Sequence, residues 1–173
     1  QLAAEFGPRA SAHEYAALPQ LLAQADVLIN NTSLGMTGNP PHFVDVTMLK
    51  PAAIVYDVVY VPLETGLLKA AKEIDSRIFI KTGIMLGLGE NKEEILELMR
   101  HAVEAGIDIF TIGQYLRPSA KHAEIRKYYH PDEFAELRDI GRGLGIRWVF
   151  AGPLVFACLL LPLALVEAWL RSR

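Results

Sequence analysis

The stretch Ile78–Leu116, IFIKTGIMLGLGENKEEILELMRHAVEAGIDIFTIGQYL, decides the fold. Ile78–Leu86 is an apolar, strand-length run that ends on Gly87 and Gly89. Asn91 then offers a side-chain oxygen to the first turn of a helix, with Glu94 three residues later in the capping-box position. Within Asn91–Ala105, residues Ile95, Leu98, Met99, Ala102 and Val103 fall at i, i+3, i+4, i+7 and i+8, which is one apolar face. Gly106 stands where a left-handed residue ends a helix, and Asp108–Leu116 reads as the next strand. Strand, helix and strand in this order make a parallel βαβ unit.

The alternation continues outward. Upstream, Ala25–Thr32 (ADVLINNT) is a nearly continuous apolar run ending in polar residues, as a buried parallel strand would be. Gly35, Gly38, Asn39, Pro40 and Pro41 break regular structure over Ser33–Pro41. Ala53–Tyr60 (AIVYDVVY) is β-branched and aromatic, and Leu63–Lys72 reads as a short helix after Pro62. Downstream, Pro131–Gly145 is a helix with proline at its first position and acids in its first turn, and Trp148–Val155 is a fifth strand. The expected fold class is α/β: parallel βα units, with a partial Rossmann-like half joined to a partial TIM-barrel-like half and an apolar C-terminal helix. Motif content places the divisions at 1–73, 74–155 and 156–173, with the join near Ala71–Asp75.

Composition narrows the function. The chain has 173 residues, 51% hydrophobic and 21% charged, with a net charge of −3 and one cysteine. That balance excludes disorder, and 17 basic against 20 acidic residues leaves no excess for nonspecific nucleic-acid binding. A single cysteine excludes an internal disulfide framework, a cysteine-rich zinc site and a three-cysteine iron–sulfur loop. His13, His42, His101, His122 and His130 lack metal-ligand pairing, so no metal site is expected. Gln1 opens into polar sequence with no signal peptide, so the cytoplasm is the expected location. With no methionine at position 1, the chain is expected to begin inside a longer one. Trp148–Val166 is an uncharged run of 19 residues, but a strand claims its first part and Pro162 interrupts the rest. A packed or interfacial helix is expected there, with membrane contact through the tail as the alternative.

Two constellations lie at strand ends, where parallel sheets bind ligands. In the first, Asn30, Asn31, Thr32 and Ser33 are followed by Gly35 and Met36, with Asp57 and Tyr60 at the end of the next strand. Amide, hydroxyl and soft apolar groups suit a nicotinamide ring, and the same residue types also make a plain turn. The second, Lys81 to Glu90, carries glycines that let a flat ligand approach the backbone, and Glu90 can accept from an amine or a ribose hydroxyl. A simple βα turn has the same look. Gln114, Tyr115, Arg117, Lys121 and His122 follow the next strand, as functional barrel loops do or as a solvated loop would.

ADVLINNTSLGM followed by VYDVVYVPLETGLLKAAK resembles the distal half of the NADP-binding domain of shikimate dehydrogenase, over roughly residues 1–72. The resemblance implies that Asn31, Thr32, Ser33, Gly35 and Met36 border the cofactor, that Val58 lies beside the nicotinamide, and that Tyr60 reaches the substrate. The family's glycine-rich phosphate loop and catalytic Lys/Asp pair have no counterpart here, so weak NADP binding is expected. KTGIMLGLGE, TIGQYLRPS, KH, HPDEF and AGPLV resemble the C-terminal half of lipoyl synthase, a radical S-adenosylmethionine enzyme, over about 74–155. Gly83, Gly87 and Glu90 then match the adenine-side motif for S-adenosylmethionine. The implied reaction inserts two sulfurs into octanoyl groups carried on a lipoyl-domain protein, with a sacrificial cluster as sulfur source. The cluster cysteines of that family are missing, and Cys158 stands among its serine positions. No iron–sulfur cluster and no catalytic residue are therefore expected, and the chain reads as an inactive fragment or chimera. The alternatives are an NADP-dependent shikimate dehydrogenase fragment that reduces 3-dehydroshikimate, and a non-catalytic nucleotide-binding or membrane-associated interaction protein.

Overall fold

The five apolar runs become five strands, each trimmed to the residues that have a neighbour to pair with. The computed structural model describes residues 5–59 and 61–155. Its strands are β1 (Val27–Asn30), β2 (Ile54–Asp57), β3 (Phe79–Leu86), β4 (Ile109–Gln114) and β5 (Trp148–Gly152). They form one sheet in the order β1-β2-β3-β4-β5, and every neighbouring pair is parallel. The expected α/β class is the observed one. Consecutive parallel strands in chain order are what both a Rossmann half and a barrel arc contribute, so strand order does not separate the two. The sheet also runs unbroken across the 73/74 join, through the pairs Ile54↔Phe79, Val55↔Ile80 and Tyr56↔Lys81.

Among the described residues four helices accompany the sheet: α1 (Leu18–Leu22), α2 (Gly66–Ile74), α3 (Lys92–Glu104) and α4 (Pro131–Gly143). The helix expected from Leu63 starts at Gly66, because Thr65 caps it by accepting from the Leu68 amide at 3.4 Å. Asn91 and Glu94 make the predicted capping box reciprocally, at 2.9 and 2.8 Å. α1, with Pro19 in its first turn, was not expected from the sequence. The tail placed at 156–173, with its apolar helix and Cys158, lies outside the described residues. Trp148–Gly152 of the long uncharged run is β5, and among the described residues no helix is long and apolar enough to cross a membrane.

All four helices bury their apolar stripes in one cluster on one face of the sheet. Leu67, Leu68 and Ala71 of α2, Ile95, Met99 and Ala102 of α3, and Phe134 and Leu137 of α4 pack on Val55, Ile80, Ile84, Phe110, Ile112 and Val149. Leu22 of α1 joins them, and Val46 and Leu49 fill the same layer on the irregular β1–β2 crossover. Side chains alternate along a strand, so Tyr56, Lys81, Gly83, Met85, Ile109, Thr111, Trp148 and Phe150 belong to the other face. β2 stops at Asp57, while β3 and β4 stay paired as far as Leu86 and Gln114. The carboxyl-terminal rim is therefore stepped: low at β1–β2 and high at β3–β4.

Candidate functional site

The high rim is built around the turn from β3 into α3. Gly87 and Gly89 take φ values of +112° and +121°, conformations that L side chains rarely adopt. Their backbone amides, with that of Leu88, converge on the Glu90 carboxylate. Glu90 Oε1 accepts from Gly87 at 2.6 Å, and Oε2 accepts from Leu88 at 2.9 Å and Gly89 at 3.1 Å. Burial acts to raise the Glu90 pKa, but the donated hydrogen bonds outweigh it, and the carboxyl sits below its ordinary range. The residue expected to accept from a ligand thus first organises its own loop.

Gln114, buried at the end of β4, clamps this turn from the side. Its amide nitrogen donates to the carbonyls of Leu86, Lys127 and Tyr115 at 3.0, 3.1 and 3.2 Å, and its oxygen accepts from the Tyr129 amide at 3.0 Å. The Tyr129 hydroxyl donates to the Glu90 carbonyl at 3.4 Å; burial, reinforced by Glu90, pushes its pKa up. Gly87 is glycine for a second reason: a Cβ there would collide with the Gln114 amide and stand 2.6 Å from the Lys127 carbonyl oxygen. Gly83 likewise leaves no room for a Cβ, which would run into the Thr111 hydroxyl. A small pocket of about 270 Å³ lies at this turn, lined by Met85, Leu86, Leu88, Glu90, Ile95 and Leu98. Gly87 and Glu90 therefore stand together at the end of β3, Gly87 buried and Glu90 half-buried, while Gly83 is buried within the strand opposite Thr111.

The low rim is organised by a different carboxylate. Asp57, fully buried, accepts from the Asn30 amide at 2.9 Å, the Val59 backbone at 3.0 Å and the Thr65 hydroxyl at 2.7 Å. Asn30 in turn accepts from the backbone and hydroxyl of Thr32 at 3.1 and 2.7 Å. Asn31, Thr32 and Ser33 are exposed, Val58 is half-buried, and Gly35 and Met36 line a groove of about 920 Å³ with His42, Phe43 and Pro62. Tyr60 lies outside the described residues. Among Gln114, Tyr115, Arg117, Lys121 and His122, only the first two are buried. Arg117 donates to the His122 carbonyl at 2.9 Å, and Ser119 bonds the His122 ring at 2.9 Å, which ties that exposed loop to itself.

In the sequence Lys81 stands only as the start of a constellation, and Tyr129 and Thr65 are passed over. The available signals were a lysine inside an otherwise apolar strand for the first and a threonine three residues before a helical leucine for the last. Lys81 is 4% exposed, its Nζ lies 3.4 Å from the Tyr56 ring centroid, and burial lowers its pKa to about 7.

The fold and site define a parallel α/β protein with a glycine-rich, carboxylate-clamped strand-to-helix turn at the carboxyl end of its sheet. No family model matches the chain. About half of it is similar to lipoyl synthases at 40–53% identity. The lipoyl synthase of Bacillus subtilis (strain 168) is 52% identical over 88 residues, 51% of this chain and 30% of that protein. The one from Bacillus pumilus (strain SAFR-032) is 53% identical over 88 residues, with the same shares. The lipoyl synthase of Caldanaerobacter subterraneus subsp. tengcongensis is 40% identical over 131 residues, 68% of this chain and 46% of its own length. The chain spans less than half the length of these relatives. The resemblance of residues 1–72 to shikimate dehydrogenase gains no support from them.

Proposed function

We propose that residues 74–155 are the S-adenosylmethionine-side part of a lipoyl-synthase-like βα arc. The observation that carries the reading is the Gly87–Glu90 turn after β3, where Gly87 and Gly89 take positive φ and Glu90 fixes three consecutive amides. Such a turn presents backbone, not side chain, to a flat nucleoside base, and the pocket beside it is bounded by Met85, Leu88 and Leu98. In this role exposed Gly89 gives close approach, while Gly83 and Gly87 leave the room that Thr111, Gln114 and Lys127 occupy behind the site. Glu90 positions the loop and keeps lone-pair capacity for a ligand amine or hydroxyl. Gln114 and Tyr129 hold the turn in place. S-adenosylmethionine would supply a reactive sulfonium here; these residues bind and orient it.

The whole protein's reaction, in this reading, is sulfur insertion into octanoyl groups on a lipoyl-domain partner. The chain has one cysteine, Cys158. One thiolate does not hold an iron–sulfur cluster, so the donor set does not fit that group and no step is derived through it. We accordingly expect this chain alone to bind nucleoside without turning over octanoyl substrate. Asn31, Thr32, Ser33, Gly35, Met36 and Val58 are secondary candidates, for NADP at the low rim. Equilibrium dialysis of the chain against S-adenosylmethionine and, separately, NADPH tests the reading. Saturable uptake of the first supports it, and uptake of NADPH alone rejects it.

A further inference from the structure

We infer that the loop from β4 to α4 is a docking surface for an acidic protein segment, which seats an aliphatic side chain in a notch beside Tyr128 and its carboxylates on a basic rim. The loop, Tyr115–His130, contains no helix or strand. Loops of this length inside a compact fold are uncommon and usually carry function. This one is nevertheless held at several points. The Tyr115 amide donates to the Leu86 carbonyl at 2.8 Å, and the Arg126 amide donates to the Gly87 carbonyl at 2.7 Å. The Tyr115 hydroxyl donates to the Ala123 carbonyl at 3.2 Å, and Gln114 holds the Lys127 carbonyl at 3.1 Å. A surface ordered in advance gives up little further freedom on binding.

Leu116 and Tyr128 are 53% and 69% exposed, and with Ile125 they border a notch of about 520 Å³ whose polar edge is Arg117 and Glu124. None of these three apolar residues belongs to the hydrophobic core or packs against it. The charge of the loop is also out of keeping with the rest of the molecule. Between Leu116 and Tyr128, Arg117, Lys121, Arg126 and Lys127 stand against Glu124 alone, in a chain whose net charge is −3. Lys127 is paired with Glu133 at 2.6 Å, and Arg117 donates to the neutral carbonyls of Ala120 and His122. Lys121 and Arg126 are exposed, with no ion-pair partner among the described residues. An apolar notch with a basic rim is complementary to an apolar anchor flanked by carboxylates. Glu124 at the notch edge favours the apolar anchor there over a carboxylate. A nucleic acid or an anionic bilayer fits less well, since each extends its negative charge across the acidic remainder of the chain.

The inference goes beyond the nucleoside reading and does not depend on it. Fluorescence anisotropy of the full chain with a fluorescein-labelled, glutamate-rich peptide carrying one central leucine tests it, at about 50 mM salt. The wild type should bind the peptide saturably, and about tenfold more weakly when serine replaces the peptide's leucine. Lys121→Glu combined with Arg126→Glu should weaken binding about tenfold. Lys69→Glu combined with Arg100→Glu reverses the same charge at exposed helix positions and should leave binding within about twofold of the wild type. The leucine exchange is read on the wild type and decides the matter if a variant fails to fold. Equal losses in the two charge reversals, indifference to the leucine, or no saturable binding overturns the inference. Tighter binding of a short DNA duplex or of phosphatidylglycerol vesicles than of the peptide overturns it as well. If the peptide binds in the expected pattern while S-adenosylmethionine does not bind, the functional reading falls and the inference stands. If S-adenosylmethionine binds and the peptide does not, the inference alone falls.

Discussion

Replacing Gly87 by alanine presses on two features of the β3–α3 turn at once. The residue sits at φ +112°, where a Cβ is strained whatever the space around it, at about 1–3 kcal/mol. The new methyl would also meet the Gln114 amide and stand 2.6 Å from the Lys127 carbonyl oxygen, which is backbone and cannot swing aside. Relieving that contact means moving the segment around Lys127 and breaking the hydrogen bonds of Gln114 to Leu86 and Lys127, worth about 1 kcal/mol each. The total loss is about 3–5 kcal/mol. Gly145→Ala is the control, since that residue is at φ +109° with nothing within 4 Å of its Cβ position, so it loses the strain component alone. Urea unfolding followed by tryptophan fluorescence reads the difference. With a slope of about 2 kcal/mol per molar urea, the Gly87→Ala midpoint should fall by about 2 M, and that of Gly145→Ala by about half as much. If Gly87→Ala loses no more than Gly145→Ala, the clamp by Gln114 and the Lys127 segment is not what fixes the turn, and the account of the site's rigidity fails.

Further predictions concern the carboxylates, an orphaned hydroxyl and the buried lysine. Glu90→Gln removes a charged acceptor from three backbone amides and should cost about 1–3 kcal/mol at pH 7 in the same urea assay. Because the folded Glu90 pKa lies below its unfolded value, that contribution is present above the unfolded value and lost as pH falls through the folded one. The wild type and Glu90→Gln should therefore converge on acidification. Asp57→Ala strands the Asn30 amide, the Val59 N–H and the Thr65 hydroxyl, and should lower stability by about 3–5 kcal/mol. Thr82→Val should leave thermal stability unchanged or raise it slightly, because the Thr82 hydroxyl is buried without a partner. Between the folded Lys81 pKa of about 7 and the unfolded value, the unfolded chain carries a proton the folded one has released. Wild-type stability should rise with pH across that window, and Lys81→Met should flatten the slope; equal slopes would refute it.

The sheet was legible because each strand is a largely apolar run flanked by glycine, proline or polar residues, and burial of the central strands on both faces demands that composition. The α3 capping box was legible for the same reason of locality, since Asn91 and Glu94 interact across three residues. What the sequence did not disclose depends on pairing register. Lys81 lies at a rim only because β2 ends at Asp57 while β3 runs on to Leu86, an offset set by packing between segments 25 residues apart. Asp57 was visible as a strand-end acid, but its three partners come from β1, the following turn and the cap of α2. Glu90 has a structural role that its chemistry alone does not disclose. Its carboxylate suits a ribose or an amine, and the backbone amides beside it engage it first.

In the proposed function, the β3–α3 turn is a nucleoside site of the lipoyl-synthase type. Binding of labelled S-adenosylmethionine to the purified full chain, with Gly87→Ala and NADPH measured in parallel, tests it most directly. One saturable S-adenosylmethionine site per chain is expected, weakened in Gly87→Ala, and tighter than any NADPH binding. A folded wild-type chain that takes up NADPH but no S-adenosylmethionine would contradict it.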